Sequence, residues 1–291
     1  MARLQLTIQQ RHGERWSVVA LEQRDDEPPR QSEGELALDL VELAALADPI
    51  AYGIRLGQAL FTGPVLDAFI RAQARSGDRL SIGLQIEAPE LRGLAWSRLC
   101  ARFERGWDFL RFDQRTPFCL QVPTQAQHQF PTLLRRDLRA LVVVASPDGL
   151  DEYGLDGFDA DAAAAAVRDA LGPIPADLLA AGPGALGPPT VEQLCAQLTA
   201  QRYTILHIVC HGAVARDGDS VLYLAGPDGE VDAVPAAELL RRLGRLGGDV
   251  GLPHLVFLAA CESAAPQAEA ALGALAPRLC RELGLPWVVA M

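Results

Sequence analysis

Apolar and polar residues alternate along "RLQLTIQQ" (3–10) and "RWSVVALEQ" (15–23), and the turn-forming "RHGE" separates them. That pattern predicts two half-buried strands joined by a tight connection. From "ELALDLVELAALADPIAYGIRLGQALF" (35–61) through "GPVLDAFIRAQARSG" (63–77) the apolar residues recur at helical spacing, with Pro49 and Pro64 as punctuation. Period-two alternation returns in "DRLSIGLQIEAPE" (78–90), so a further half-buried strand is expected there. "WDFLRFD" and "PFCLQVP" flank "QRT" and predict a hairpin.

After about residue 136 the pattern changes. "LRALVVVASP" (138–147) is a nearly continuous β-branched run, as expected of a strand buried on both faces of a parallel sheet. The helix "FDADAAAAAVRDALG" follows, then a Pro/Gly-rich connector, then the helix "TVEQLCAQLTAQR" with Thr190 as its N-cap. Next come the strand "YTILHIVC" (203–210), a ribbon of "SVLYLAG" with "EVDAV", and the helix "PAAELLRRLGRL". "HLVFLAAC" (254–261), the helix "APQAEAALGALAPRLCRELG" and "LPWVVAM" complete the order. Strands alternating with helices predict a mostly parallel sheet with helices on both faces. This α/β core, residues 136–291, follows a smaller mixed α+β region over residues 1–135.

Composition narrows the function. No apolar run reaches the roughly 18 residues of a membrane span, and the N-terminus has no apolar signal core, so a cytoplasmic protein is expected. All 26 basic residues are Arg, against 37 acidic ones, for a net charge of −11. Without Lys there is no P-loop lysine, Schiff base or Lys general base. So acidic a chain lacks the basic face of a nucleic-acid platform. The six cysteines form no C-x-x-C pair, which leaves no zinc-knuckle or thioredoxin signature. "GPGALG" matches G-x-G-x-x-G at Gly182, Gly184 and Gly187. Pro183 within it and "PPT" after it point to a surface loop rather than a dinucleotide cradle, and no cofactor is expected.

Two histidines, His207 and His211, stand four apart in "YTILHIVCHG". On a strand such residues share a face but lie about 13 Å apart, so they do not share one metal or one thiol. His207 falls mid-strand, where a buried, hydrogen-bonded core residue is expected. His211 falls at the carboxyl end, the edge where parallel sheets build their sites. Cys261 ends "HLVFLAAC" in the same way. Were the two strands adjacent, His211 would reach the Cys261 thiol and take its proton, activating a group with a pKa of about 8.5. Gly212, without a Cβ, admits close backbone approach. Its N–H and that of Cys261 are candidates for an oxyanion hole.

"ILHIVCHG" and "LVFLAACESA" closely resemble the two signature blocks of CHAT domains, which are similar to the clan CD cysteine peptidases such as caspases, metacaspases and separase. "AYGIRLGQALF", "LRALVVVASPDGL", "LYLAGPDGEV" and "GLPWVVAM" extend the resemblance. The separation 261 − 211 = 50 matches the about 50 positions from His to Cys in caspases. The resemblance implies a caspase-like sandwich and a cysteine endopeptidase, with His211 as general base and acid, Cys261 as nucleophile and Gly212 in the oxyanion hole. It implies a protein or peptide substrate, a regulatory partner or fused sensor domain, and an effector role in prokaryotic stress or defence. Two alternatives stand beside it: a catalytically silent scaffold domain, and a Cys-dependent hydrolase of something other than a peptide. Ala259, two before Cys261, sets no charged preference. Residues 136–291 hold 20 acidic side chains against 10 Arg, and cleavage after basic residues is expected. The family usually continues past the equivalent of "VVAM", so the core is expected to be C-terminally incomplete, completed by a downstream segment, a cleaved second piece or a partner chain.

Overall fold

A computed structural model describes residues 2–25, 27–76, 79–124, 126, 130–216, 218–246, 251–259 and 266–291. The chain divides into two compact units, Met1–Val122 and Pro123–Met291.

The first unit begins with β1 (Ala2–His12), β2 (Arg15–Arg24) and β3 (Glu27–Leu36). Three helices follow: α1 (Leu40–Ala44), α2 (Pro49–Leu60) and α3 (Gly63–Arg75). β4 (Leu80–Ile86), β5 (Cys100–Phe103), β6 (Gly106–Phe109) and β7 (Phe118–Gln121) complete it. A five-stranded sheet has the order β3-β2-β1-β4-β7. The alternation in β1 places Leu4, Leu6 and Ile8 in one core with Leu56 and Leu60 of α2 and Val65 and Phe69 of α3. The carboxylates of Asp39 and Asp48 accept from the first amides of α1 and α2, as N-caps do.

Two expectations are corrected here. Residues 27–36 form β3, and the helical stretch begins only at Leu40. β3 is an edge strand whose sole buried residue is Leu36, so it carries no hydrophobic alternation, and an edge tolerates Pro28 and Pro29. "WDFLRFD" and "PFCLQVP" do not pair with each other. β6 turns back on β5, while β7 lies parallel to β4, because long-range partners override the local hairpin pattern.

The second unit opens with β8 (Ala140–Val144), α4 (Ala160–Leu171), β9 (Ala176–Leu179) and α5 (Val191–Ala200). β10 (Ile205–Val209) leads into β11 (His211–Val214), β12 (Ser220–Ala225) and β13 (Val231–Pro235). α6 (Ala236–Gly244), β14 (Leu255–Ala259), α7 (Pro266–Leu283) and β15 (Trp287–Ala290) follow. The predicted parallel sheet is present, in the order β15-β14-β10-β8-β9. Its member β9 arises from the Pro/Gly-rich stretch read as a connector. Thr190 caps α5, accepting from the Gln193 amide at 3.1 Å.

Alternate residues of the buried strands feed two cores. Leu141, Val143, Leu206, Ile208, Val256 and Leu258 pack with leucines of α5, α6 and α7. Ala140, Val142, Val144, Ile205 and Val209 pack with Ala164 and Val167 of α4. A small antiparallel sheet, β11-β12-β13, carries the chain away from the end of β10. Among the described residues, no helix is long and apolar enough to cross a membrane.

Candidate active site

β10 is the central strand of the parallel sheet, flanked by β8 and β14. Its ladder persists one residue beyond Val209, the Cys210 amide donating to the Ala259 carbonyl at 3.2 Å. His211 then opens β11, in register with Tyr223 of β12. Its side chain is buried, at 1% exposure. Nε2 lies 2.9 Å from the Asp156 carbonyl oxygen, and the Phe158 ring meets the imidazole edge-on at 5.4 Å.

That geometry fixes the chemistry of the ring. A carbonyl oxygen only accepts, so Nε2 carries the proton in this hydrogen bond. In neutral imidazole the lone pair then belongs to Nδ1. Nδ1 is buried without a hydrogen-bond partner among the described residues. Burying a polar atom unpaired costs about 1–3 kcal/mol, so such an atom calls for an explanation, of which a role in chemistry is one.

The Asp156 carbonyl belongs to the 145–158 loop between β8 and α4, which is tied to the sheet and the ribbon. The Ala145 amide donates to the Val209 carbonyl at 2.9 Å. The Asp148 amide donates to the Gly229 carbonyl at 3.3 Å and its carbonyl accepts from the Val231 amide at 2.8 Å. Gly149 adopts φ +81°, with a Glu230 carboxylate oxygen 3.1 Å from where a Cβ would stand. Tyr153 packs on Tyr223 with ring centroids 4.9 Å apart. Residues 140–167 contain six acidic side chains and no Arg.

Cys261 lies outside the described residues. The strand leading to it does not: β10 and β14 pair in parallel from Ile205↔Leu255 to Val209↔Ala259. The offset, 259 − 209 = 50, equals the separation of His211 and Cys261. Gly212 follows His211 within β11, in register with Leu222. All five described thiols are held protonated by burial. Cys210 is pushed up to about 12 and Cys100 to about 11, the latter with help from Asp108. Burial also raises Cys119, Cys195 and Cys280.

His207 departs from expectation. It is half-buried and stacks on Phe257 at 5.3 Å with the rings 22° apart, with no hydrogen bond among the described residues. It points to the α4 side of the sheet, where the neighbouring β14 residues are only partly covered. Stacking, rather than a polar partner, stabilises it there. Burial holds its pKa below the ordinary value of 6.5. The glycines of "GPGALG" do follow a strand, β9, but the Leu186 amide donates back to Leu178 and the Ala180 amide to Gly187. The segment closes on itself as a surface turn. The sequence reading missed the Asp156 carbonyl and Phe158; a backbone carbonyl has no residue signature to find.

No curated protein matches the chain. The family model described as "CHAT domain" matches residues 51–291, which takes in all but the first two residues of α2 and everything after it. The histidine at the end of the central strand therefore sits in a chain that belongs to the CHAT domain family.

Proposed function

We propose that this chain is a caspase-like cysteine endopeptidase in which His211 activates Cys261. The observation that carries the reading is the His211 ring: Nε2 is committed to the Asp156 carbonyl, and Nδ1 is buried and unpartnered among the described residues. The fifty-residue register between β10 and β14 supports Cys261 as its partner. So does the raised pKa of every described thiol, because a buried neutral thiol is a poor nucleophile.

In this mechanism Nδ1 takes the Cys261 proton, and the thiolate sulfur bonds to the scissile carbonyl carbon. The oxyanion is held by the amides of Gly212 and Cys261. The imidazolium gives its proton to the leaving nitrogen as the C–N bond breaks, leaving a thioester. Water then attacks the thioester carbon, losing a proton to Nδ1, and the C–S bond breaks to release the carboxylate and regenerate the thiol. The Asp156 carbonyl keeps the ring in one tautomer and stabilises the imidazolium. The acidic 140–167 segment supports cleavage after Arg or Lys. The family resemblance supports a regulated effector in prokaryotic stress or defence, controlled by a partner or fused sensor.

The test is an electrophilic peptide probe with Arg at the acylating position, read by mass spectrometry. A single adduct on Cys261, lost in His211→Ala, is expected. Absence of labelling would leave a silent scaffold as the better account, and preference for an Asp probe would overturn the basic specificity.

A further inference from the structure

We infer that Ser146 is a positioning residue for His211: its hydroxyl closes the loop whose backbone carbonyl holds the ring. The inference rests on the reading of His211 as the base. The Ser146 Oγ accepts from the Phe158 amide at 2.9 Å. On the other side of Asp156, the Leu155 amide donates to the Leu150 carbonyl at 3.1 Å. Between these two bonds lie only Asp156, whose carbonyl meets Nε2, and Gly157. Without the Ser146 bond, the carbonyl would hang from one side only.

The anchor also sits where it transmits the geometry of the sheet. Ser146 follows Ala145, whose amide makes the last bond to β10 at Val209, two residues before His211. Ring and carbonyl are thus referenced to the same strand end through short paths. The Phe158 amide that Ser146 captures belongs to the residue whose ring meets His211 edge-on. One hydroxyl therefore fixes both the acceptor for Nε2 and the aromatic wall. Gly157 passes close by, with the hydroxyl 3.5 Å from where its Cβ would stand.

The test reads the ring itself and needs no turnover. The full 291-residue chain, with its five histidines labelled with nitrogen-15, is examined by NMR at about pH 8, above the ordinary histidine pKa. The His211→Gln spectrum assigns the signal. In the unaltered chain, His211 should hold its proton on Nε2. Ser146→Ala should reduce that preference about five- to tenfold, the weight of one hydrogen bond. Ser146→Thr, which keeps the hydroxyl and suits extended backbone before Pro147, should restore it. An unchanged tautomer in Ser146→Ala would overturn the role of Ser146 alone. A proton on Nδ1 in the unaltered chain would overturn the base assignment as well. Should Ser146→Ala fail to fold, hydrogen exchange at the Phe158 amide of the unaltered chain decides. Protection of about tenfold or more supports the bond, and exchange at the free-peptide rate overturns it.

Discussion

At the scale of single residues, the two histidines differ because of what touches them. Among the described residues, His211 has one nitrogen engaged and one without a partner, whereas His207 has an aromatic neighbour and no polar partner. His211→Ala or Cys261→Ala should lower peptide hydrolysis on the order of 10⁴-fold or more, while Cys210→Ala leaves it within a few-fold. Loss of turnover in Cys210→Ala with retention in Cys261→Ala would reverse the nucleophile assignment. His207 should show itself through stability. Its folded pKa lies below 6.5, so as pH falls the unfolded chain takes up the proton first. The stability that the neutral ring contributes is complete above about 6.5 and is lost as pH falls through the folded value. Amide-exchange protection of β10 and β14 should therefore drop between about pH 7.5 and about pH 5, and drop less in His207→Gln. Equal drops in both proteins would remove His207 from the account.

At the scale of elements, helix α2 shows how close packing selects residues. A Cβ on Gly53 would fall 2.0 Å from the Arg98 carbonyl oxygen, and one on Gly57 would fall 2.1 Å from that of Cys100. Backbone cannot yield as a flexible side chain can, so the helix itself would have to lift. Gly53→Ala and Gly57→Ala should each destabilise the first unit by about 2 kcal/mol or more, despite the better helix propensity of Ala. Urea titration followed by fluorescence of the buried Trp16 and Trp96 measures this. Unchanged midpoints would mean that the contact relaxes without cost. In the second unit, Arg278 of α7 pairs with Asp219 beside β12 and with Glu282, tying the helix to the ribbon that His211 opens.

At the scale of the whole molecule, β15 is the outermost described strand of the parallel sheet. Among the described residues β15 has β14 on one side only, and Trp287 and Met291 are each 61% exposed, with Val289 at 37%. Trp287 and Val289 fall on one face of the strand, so apolar surface and unpaired backbone coincide, the combination that promotes strand-to-strand association. Light scattering should show the average mass rising with protein concentration, and Trp287→Glu should suppress that rise. A constant monomer mass across the concentration range would show that this edge is inert.

What the sequence determined by itself was whatever repeats along the chain or follows from strand order. β-branched runs separated by amphipathic helices were enough for the parallel sheet, and the fifty residues from His211 to Cys261 equal the offset of β10 on β14, which only the structure shows. Thr190 at its cap was legible because capping is local. Tertiary structure alone decided the contacts between distant backbone groups. The Asp156 carbonyl on Nε2, the Phe158 amide on Ser146 and the carbonyls beneath Gly53 and Gly57 are main-chain atoms, chemically alike in every residue. Nothing in side-chain pattern marks which of them will be used. The edge strands β3 and β9 escaped for related reasons: β3 has a single buried residue and so hardly any hydrophobic period to read, and β9, though half of it is buried, is only four residues long.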